Sequence, residues 1–480
     1  MRNCLRFYID GAWVAPASDL EKEVIDPSTE KPIARIAMGT AEDVGHAVAA
    51  AKAAFTMFSR TSPAERVELL AGLEYAYTER LEEFARRISL EMGAPIKYSR
   101  EVQAQCGSLH IATAIETLRA FEFERLQGTT LVVKEAIGVC GLITPWNFPI
   151  NTLVSKVLPA LAAGCCVVLK ASELSPLSAL LFAEAIDAVG FPKGVFNLVN
   201  GDGPVAGEAL AAHPDVAMIS ITGSTAAGIR VAKVAADTVK RVHQELGGKS
   251  ANILLLDADL EKFVPMSVAA CYRNSGQSCS APTRLLVHRD QLAQVEQLAA
   301  FFVQTMKVGL PSDETTVLGP VVNQTQFDKV QRLISSGLQE GAKLIAGGVG
   351  RPSGFDRGYF VRPTIFSEVT PNMRIAQEEI FGPVLSILPY DSEEEAISIA
   401  NGTVFGLAAY VQSSNLEGAR RVASRMHAGT VHINFPPYDT RAPFGGYKQS
   451  GNGREYGAYG LDDFLELKAI TGFHEIAGSS

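Results

Sequence analysis

The sequence predicts an α/β protein of two domains, each built on a parallel sheet. Beyond about residue 131, short β-branched runs alternate with helix-forming stretches, the pattern of strands covered on both faces. Glycine-rich turns follow two of these runs and lead into helices. The chain has 480 residues, 47% of them apolar, which exceeds one ordinary core, since a domain takes roughly 100–200 residues.

Residues 41–57 and 63–120 carry Ala, Leu, Glu and Arg at helical spacing, with Pro63 where a helix begins. The first set of strands is expected at 137–143, 166–170, 195–199, 216–221, 241–246 and 252–256, with helices such as 175–190 between them. A second set is expected at 284–288, 359–366, 384–390, 406–412 and 429–434. The two domains meet near 247–270, where "GGKS" reads as a hinge-like connection.

With 43 basic and 52 acidic residues the net charge is −9, and no basic run appears. Neither nucleic acid nor an anionic membrane is an expected partner. The longest uncharged central stretch, 157–169, contains Pro159 and Gly164 and is too short to span a bilayer. Seven cysteines, an odd number without CxxC spacing, favour free thiols, and a cytoplasmic location is expected.

Several short segments carry candidate chemistry. "NSGQSCSAPT" (274–283) sets Cys279 in a small, polar, bendable segment, whereas Cys140, Cys165, Cys166 and Cys271 read as core thiols. A thiol in such a loop makes a covalent catalyst once deprotonated. Glu245 ends a strand directly before Gly247 and Gly248; a half-buried carboxylate there has a raised pKa and makes a usable base. In "TPWNFP" (144–149) two prolines restrain Asn147, an amide donor for a developing oxyanion. Lys170 and Glu173 leave another strand and face one ligand, and Ser224 in "TGST" offers a helix N-terminus to a pyrophosphate. The turn "NGDGPVAG" (200–207) is one residue off the dinucleotide fingerprint. The histidines show no HxxxH or HExxH spacing, so no metal site is expected. A cysteine hydrolase using His243, His288 or His432 as base stays open at this point.

Taken together and in order, "TPWNFP" (144–149), "LKASE" (169–173), "TGST" (222–225), "ELGGKS" (245–250), "GQSC" (276–279), "EEIFGPV" (378–384) and "PFGGYKQSGNGRE" (443–455) resemble the NAD(P)-dependent aldehyde dehydrogenases over essentially the whole chain. The resemblance implies Cys279 as nucleophile, Glu245 as general base and Asn147 in the oxyanion hole. It implies cofactor contacts at Thr144, Trp146, Lys170, Glu173, Gly203, Gly223, Ser224, Leu246, Glu379 and Phe381. Glu173, able to accept from ribose hydroxyls and to repel a 2′-phosphate, favours NAD over NADP. Ala171 and Ile221 stand where the family often has a proline and an aromatic.

The implied fold is aldehyde-dehydrogenase-like: an NAD-binding domain at 1–247, interrupted near 121–137 by strands of a small β oligomerisation arm; a catalytic domain at 248–447; and a C-terminal segment at 448–480 that partly joins the arm. A homodimer or homotetramer follows from the arm. The implied reaction is oxidation of an aldehyde to its acid through a thiohemiacetal and a thioester. A CoA-acylating relative and a cofactor-free cysteine hydrolase are the alternatives. The texture is most similar to catabolic members acting on semialdehydes or aromatic aldehydes, such as the 3-succinoylsemialdehyde-pyridine dehydrogenases. Tyr438 and Arg441 are placed at the substrate entrance, where Arg441 is either solvated or paired with a substrate carboxylate.

Overall fold

A computed structural model describes residues 2–474, so the end of the expected C-terminal segment, 475–480, lies outside the described residues. Five parallel strands form the centre of the first sheet, in the order Arg241–Glu245, Met218–Thr222, Val139–Ile143, Cys166–Lys170 and Phe196–Leu198. Their side chains are almost all buried, as continuous apolar runs covered on both faces require. The helix Pro149–Ala163 is buried nearly all round, between this sheet and the outer helix Gln105–Ala120.

The sheet is wider than the sequence suggests. Phe7–Ile9 and Ala12–Val14 extend one side and Gly451–Asn452 pairs antiparallel with Arg241–Glu245 on the other. The first 40 residues also form a hairpin of Glu21–Asp26 and Lys31–Ala37.

The helical region expected at 63–120 is broken into Pro63–Thr78, Leu81–Met92 and a third stretch that runs through Ile96–Tyr98, the π-helical Ser99–Ala104 and Gln105–Ala120. Gly93, in the left-handed region, ends the second of these, and Pro95 prevents its continuation. Ser62 caps the first, with Glu65 returning the bond in a capping box worth about 1 kcal/mol. The strand expected at 359–366 begins only at Thr364, because Pro363 has no N–H to give a ladder.

The second sheet runs Lys343–Ala346, Thr364–Ser367, Val384–Tyr390, Arg284–His288, Ala251–Leu254, Ala408–Gln412 and Thr430–Ile433, all parallel except the first pair. Ala251 opens its central strand only six residues after Glu245 closes a strand of the first sheet. The carboxyl edge of the first sheet therefore faces the amino edge of the second. The crossing at 246–250 is buried and clamped, not a hinge: the Gly247 carbonyl accepts from Ser450 Oγ at 2.7 Å and the Gly248 N–H donates to Glu379 at 2.9 Å.

A separate three-stranded sheet joins Glu124–Gln127, Thr130–Ala136 and Leu465–Ile470, leaving Leu126 and Leu467 exposed. No helix among the described residues is long and apolar enough to cross a membrane.

Candidate active site

Register collects the candidate residues at one edge. Thr222 pairs with Glu245 and Ile143 with Lys170, so "TPWN", "KASE", "GST" and "ELGG" all leave the carboxyl ends of neighbouring strands. Cys279 and Glu379 arrive from the other side, just ahead of the strands Arg284–His288 and Val384–Tyr390.

The loop before Cys279 differs from its sequence reading. It is pinned, not bendable. Asn274 and Ser275 both take positive φ, unusual for side-chain-bearing residues, and Gly276 follows at φ +74°. A side chain at Gly276 would strike the Gly382 backbone. Gln103 Nε2 donates to Asn274 Oδ1 at 2.9 Å, Asn274 Nδ2 donates to the Asn147 and Gln277 carbonyls, and the Val322 N–H donates to Gln277 Oε1 at 2.9 Å. This net lies in the interior and holds the left-handed turn in place. Cys279 itself is partly exposed.

Burial, followed by the carboxylates of Glu379 and Glu245, pushes the Cys279 thiol up to about 12; the N–H groups of Ser280 and of Cys279 itself act in the opposite direction. Glu245 is fully buried, deeper than expected, and desolvation raises it to about 7 against the hydrogen bond from His243. Its Oε1 lies 3.2 Å from His243 Nε2, while Oε2 has no hydrogen-bond partner among the described residues. Asn147 is also buried, and its Nδ2 donates to the Gln277 carbonyl at 3.1 Å. That bond uses one of two amide hydrogens.

The residues expected to hold a dinucleotide line the same edge. Ser224 caps the helix Thr225–Ala235 through Ala227 N, and Gly223 N–H bonds the Glu245 carbonyl. Lys170 Nζ stands 3.8 Å from Glu173, with burial lowering its pKa and Glu173 and Asp202 opposing that. Gly203 opens the turn Gly203–Gly207, and space around it is free. Glu379 lies over Gly247, where an added Cβ would fall 2.6 Å from its Oε2; burial raises this carboxyl too. Phe381, at φ +60°, sets its ring edge-on to Trp146, 5.4 Å between centroids. Thr144 is buried, its N–H bonded to the Lys170 carbonyl, and Leu246 N–H bonds the Ser450 carbonyl. The buried Thr222 Oγ1 has no hydrogen-bond partner among the described residues and is one more donor at this edge. A cationic lysine, a free helix N-terminus and carboxylates at both ends form a donor set that fits a dinucleotide.

Other side chains here carried no expectation. Lys22 Nζ reaches Glu173 at 3.5 Å. Lys156 and Glu455 form a fully buried ion pair at 2.5 Å, and both charges are felt at Glu245. A lysine inside the apolar helix run "NTLVSKVLPALAA" was the available signal, since a buried cation needs a partner. Among the described residues no histidine is hydrogen-bonded to the Cys279 thiol. Tyr438 OH meets His110 Nε2 at 2.9 Å and Asn151 Nδ2 at 3.1 Å, while the exposed Arg441 is paired with Glu116 at 2.8 Å.

Known proteins were compared with the chain. Residues 13–470 match the aldehyde dehydrogenase family. A 3-succinoylsemialdehyde-pyridine dehydrogenase of a Pseudomonas species is 54% identical, over 98% of this chain and 99% of the relative. A cysteine-to-alanine mutant of aldehyde dehydrogenase C from Pseudomonas syringae, solved with NAD+ and octanal, superposes with a TM-score of 0.98 at 55% identity, covering 98% of this chain and 97% of that one. The aldehyde dehydrogenase of Mycobacterium tuberculosis complexed with NAD+ gives a TM-score of 0.97 at 37% identity over the full length of both chains.

Proposed function

The chain belongs to the aldehyde dehydrogenase family and is an oxidoreductase acting on aldehydes; from that premise we propose that it uses NAD to convert a semialdehyde, or an aromatic or aliphatic aldehyde, to the carboxylic acid, with Cys279 as nucleophile and Glu245 as base. The observation that carries this reading is the meeting of the three groups at one edge: Glu245 ends its strand there, Glu379 accepts from the Gly248 N–H at 2.9 Å, and the Cys279 carbonyl lies 2.4 Å from where a Cβ on Gly248 would fall.

In this mechanism the thiol proton leaves Cys279 for a carboxylate of the site, and the thiolate attacks the aldehyde carbon. A C–S bond forms, and the carbonyl oxygen becomes an oxyanion. The second amide hydrogen of Asn147 and the Cys279 N–H are the donors that receive it. NAD, when bound, supplies the acceptor for the hydrogen and electron pair leaving that carbon. Lys170 and Glu173 would hold its adenosine ribose, Ser224 and Gly223 its pyrophosphate, and Glu379 the nicotinamide ribose. Thr144, Trp146, Gly203, Leu246 and Phe381 complete the walls. Cys279 is then a thioester. Glu245 takes a proton from water, hydroxide adds to the thioester carbon, and the C–S bond breaks to release the acid.

Glu245 supports hydrolysis over transfer to CoA, because the second half-reaction needs a base for water. The relative that acts on 3-succinoylsemialdehyde-pyridine and the neighbour solved with octanal support the substrate class. The exposed apolar side chains Leu126 and Leu467 support the three-stranded sheet as a subunit contact in a dimer or tetramer.

The test is NAD reduction, followed by absorbance, across aliphatic, aromatic and carboxylated aldehydes. Turnover with the parent protein and none with Cys279→Ala is expected. No turnover with any aldehyde and either cofactor contradicts the proposal.

A further inference from the structure

Arg241, His243 and Glu245 alternate along one strand, so His243 and Glu245 share a face. His243 is 2% exposed and sits between two carboxylates from different parts of the chain. Its Nε2 is 3.2 Å from Glu245 Oε1. Its Nδ1 is 3.0 Å from Asp463 Oδ2, although that contact lacks the alignment of a full hydrogen bond. Asp463 is anchored by the Arg454 N–H at 2.9 Å, and its side chain is 28% exposed. An imidazole thus links the buried candidate base to a carboxylate in contact with water.

We propose that His243, braced by Asp463, is a positioning residue for the base: it donates to Oε1 of Glu245, fixes the carboxylate in its ionised, productive orientation, and leaves Oε2 as the oxygen that takes the proton from water. This rests on the reading of Glu245 given above and extends it. Two features favour positioning over chance contact. Oε2 is buried with no hydrogen-bond partner among the described residues, so the carboxylate keeps one acceptor for water. Burial opposes a charge on His243, and the contacts to Asp463 and Glu245 overcome it, raising its pKa to about 9. The other charged groups around the pair are Lys156, which opposes the imidazolium, Glu455, which raises Glu245, and Arg241, which lowers Asp463.

The sign of the effect follows. Glu245 works ionised, so the steady-state rate rises with pH through its pKa. An adjacent cation lowers that pKa; removing the cation moves the acid limb to higher pH. Opposite charges at this range move a pKa by roughly 1–3. The experiment measures, in the same protein, the first-turnover burst of NAD reduction and the steady-state rate between pH 6 and 9. For His243→Leu the steady-state rate at pH 7 is expected to fall about fivefold, with the acid limb about one pH unit higher and the burst amplitude unchanged. Asp463→Asn, at a partly exposed position, guards against misfolding of the first variant and is expected to move the limb in the same direction by less. His243→Gln, a neutral donor, is expected to restore the rate above pH 8 and not at pH 7. An unmoved limb in both His243→Leu and Asp463→Asn, or a burst reduced as much as the steady state, overturns the inference. If the parent protein reduces neither NAD nor NADP with any aldehyde, the underlying reading falls, and this inference with it.

Discussion

The side-chain amide of Asn147 donates to the carbonyl oxygen of Gln277 at 3.1 Å, two residues ahead of Cys279. One hydrogen bond thus joins the end of a strand in the first sheet to the cysteine loop of the second. It spends one amide hydrogen and orients the other. Asn147→Ala removes both the tether and the proposed oxyanion donor. Losing one such donor costs about 2.7–4 kcal/mol of barrier, so kcat is expected to drop roughly 10²–10³-fold. Steady-state kinetics with a saturating aldehyde checks this.

Glu245, raised to about 7 by its burial, sets an expected pH profile. Because the ionised form accepts the proton, the steady-state rate should rise through about pH 7 and level off above it. In Glu245→Gln that limb should vanish and turnover should fall, while the first-turnover burst of NAD reduction remains. Stopped-flow absorbance separates the two phases.

Gly247 lies directly under the Glu379 carboxylate, where an added Cβ would sit 2.6 Å from Oε2. In Gly247→Ala the carboxylate must move, and the hydrogen bond it accepts from Gly248 N–H goes with it. The KM for NAD is expected to rise about tenfold or more, with the KM for aldehyde much less affected, as an initial-rate grid will show.

The Lys156–Glu455 pair is fully buried, and Glu455 is held low by Lys156 and His243 despite its burial. Lys156→Met leaves a carboxylate stranded and is expected to cost about 3–5 kcal/mol. Adding Glu455→Gln should return part of that loss. Denaturant titration of the single and double variants measures both.

Much of the site was legible because its chemistry ties residue types to places. A carboxylate ahead of paired glycines, or a thiol ahead of a strand, stands out in a sequence, and strand register then brings such segments together. What escaped was set by distant partners. Phe7–Ile9 forms a short hairpin with Ala12–Val14 across Asp10 and Gly11, but its place at the side of the first sheet depends on Phe196–Leu198, far along the chain. Lys156 hinted at a buried counter-charge, but Glu455 lies 299 residues further on. The cysteine loop looked pliable from its small residues, yet Gln103, on a segment far away in the chain, holds Asn274 in a left-handed conformation. The spacing of His243 and Glu245 was visible throughout; its meaning needed Asp463 beside it.

The central claim is that Cys279 carries the acyl group and Glu245 releases it. Glu245→Gln, mixed with NAD and an aldehyde and quenched in acid, tests it directly by peptide mass spectrometry. The account predicts that the peptide bearing Cys279 gains the mass of the acyl group, and that Cys279→Ala in the same background gains nothing. An unmodified Cys279 peptide despite measured NAD reduction, or an adduct on another residue, contradicts it.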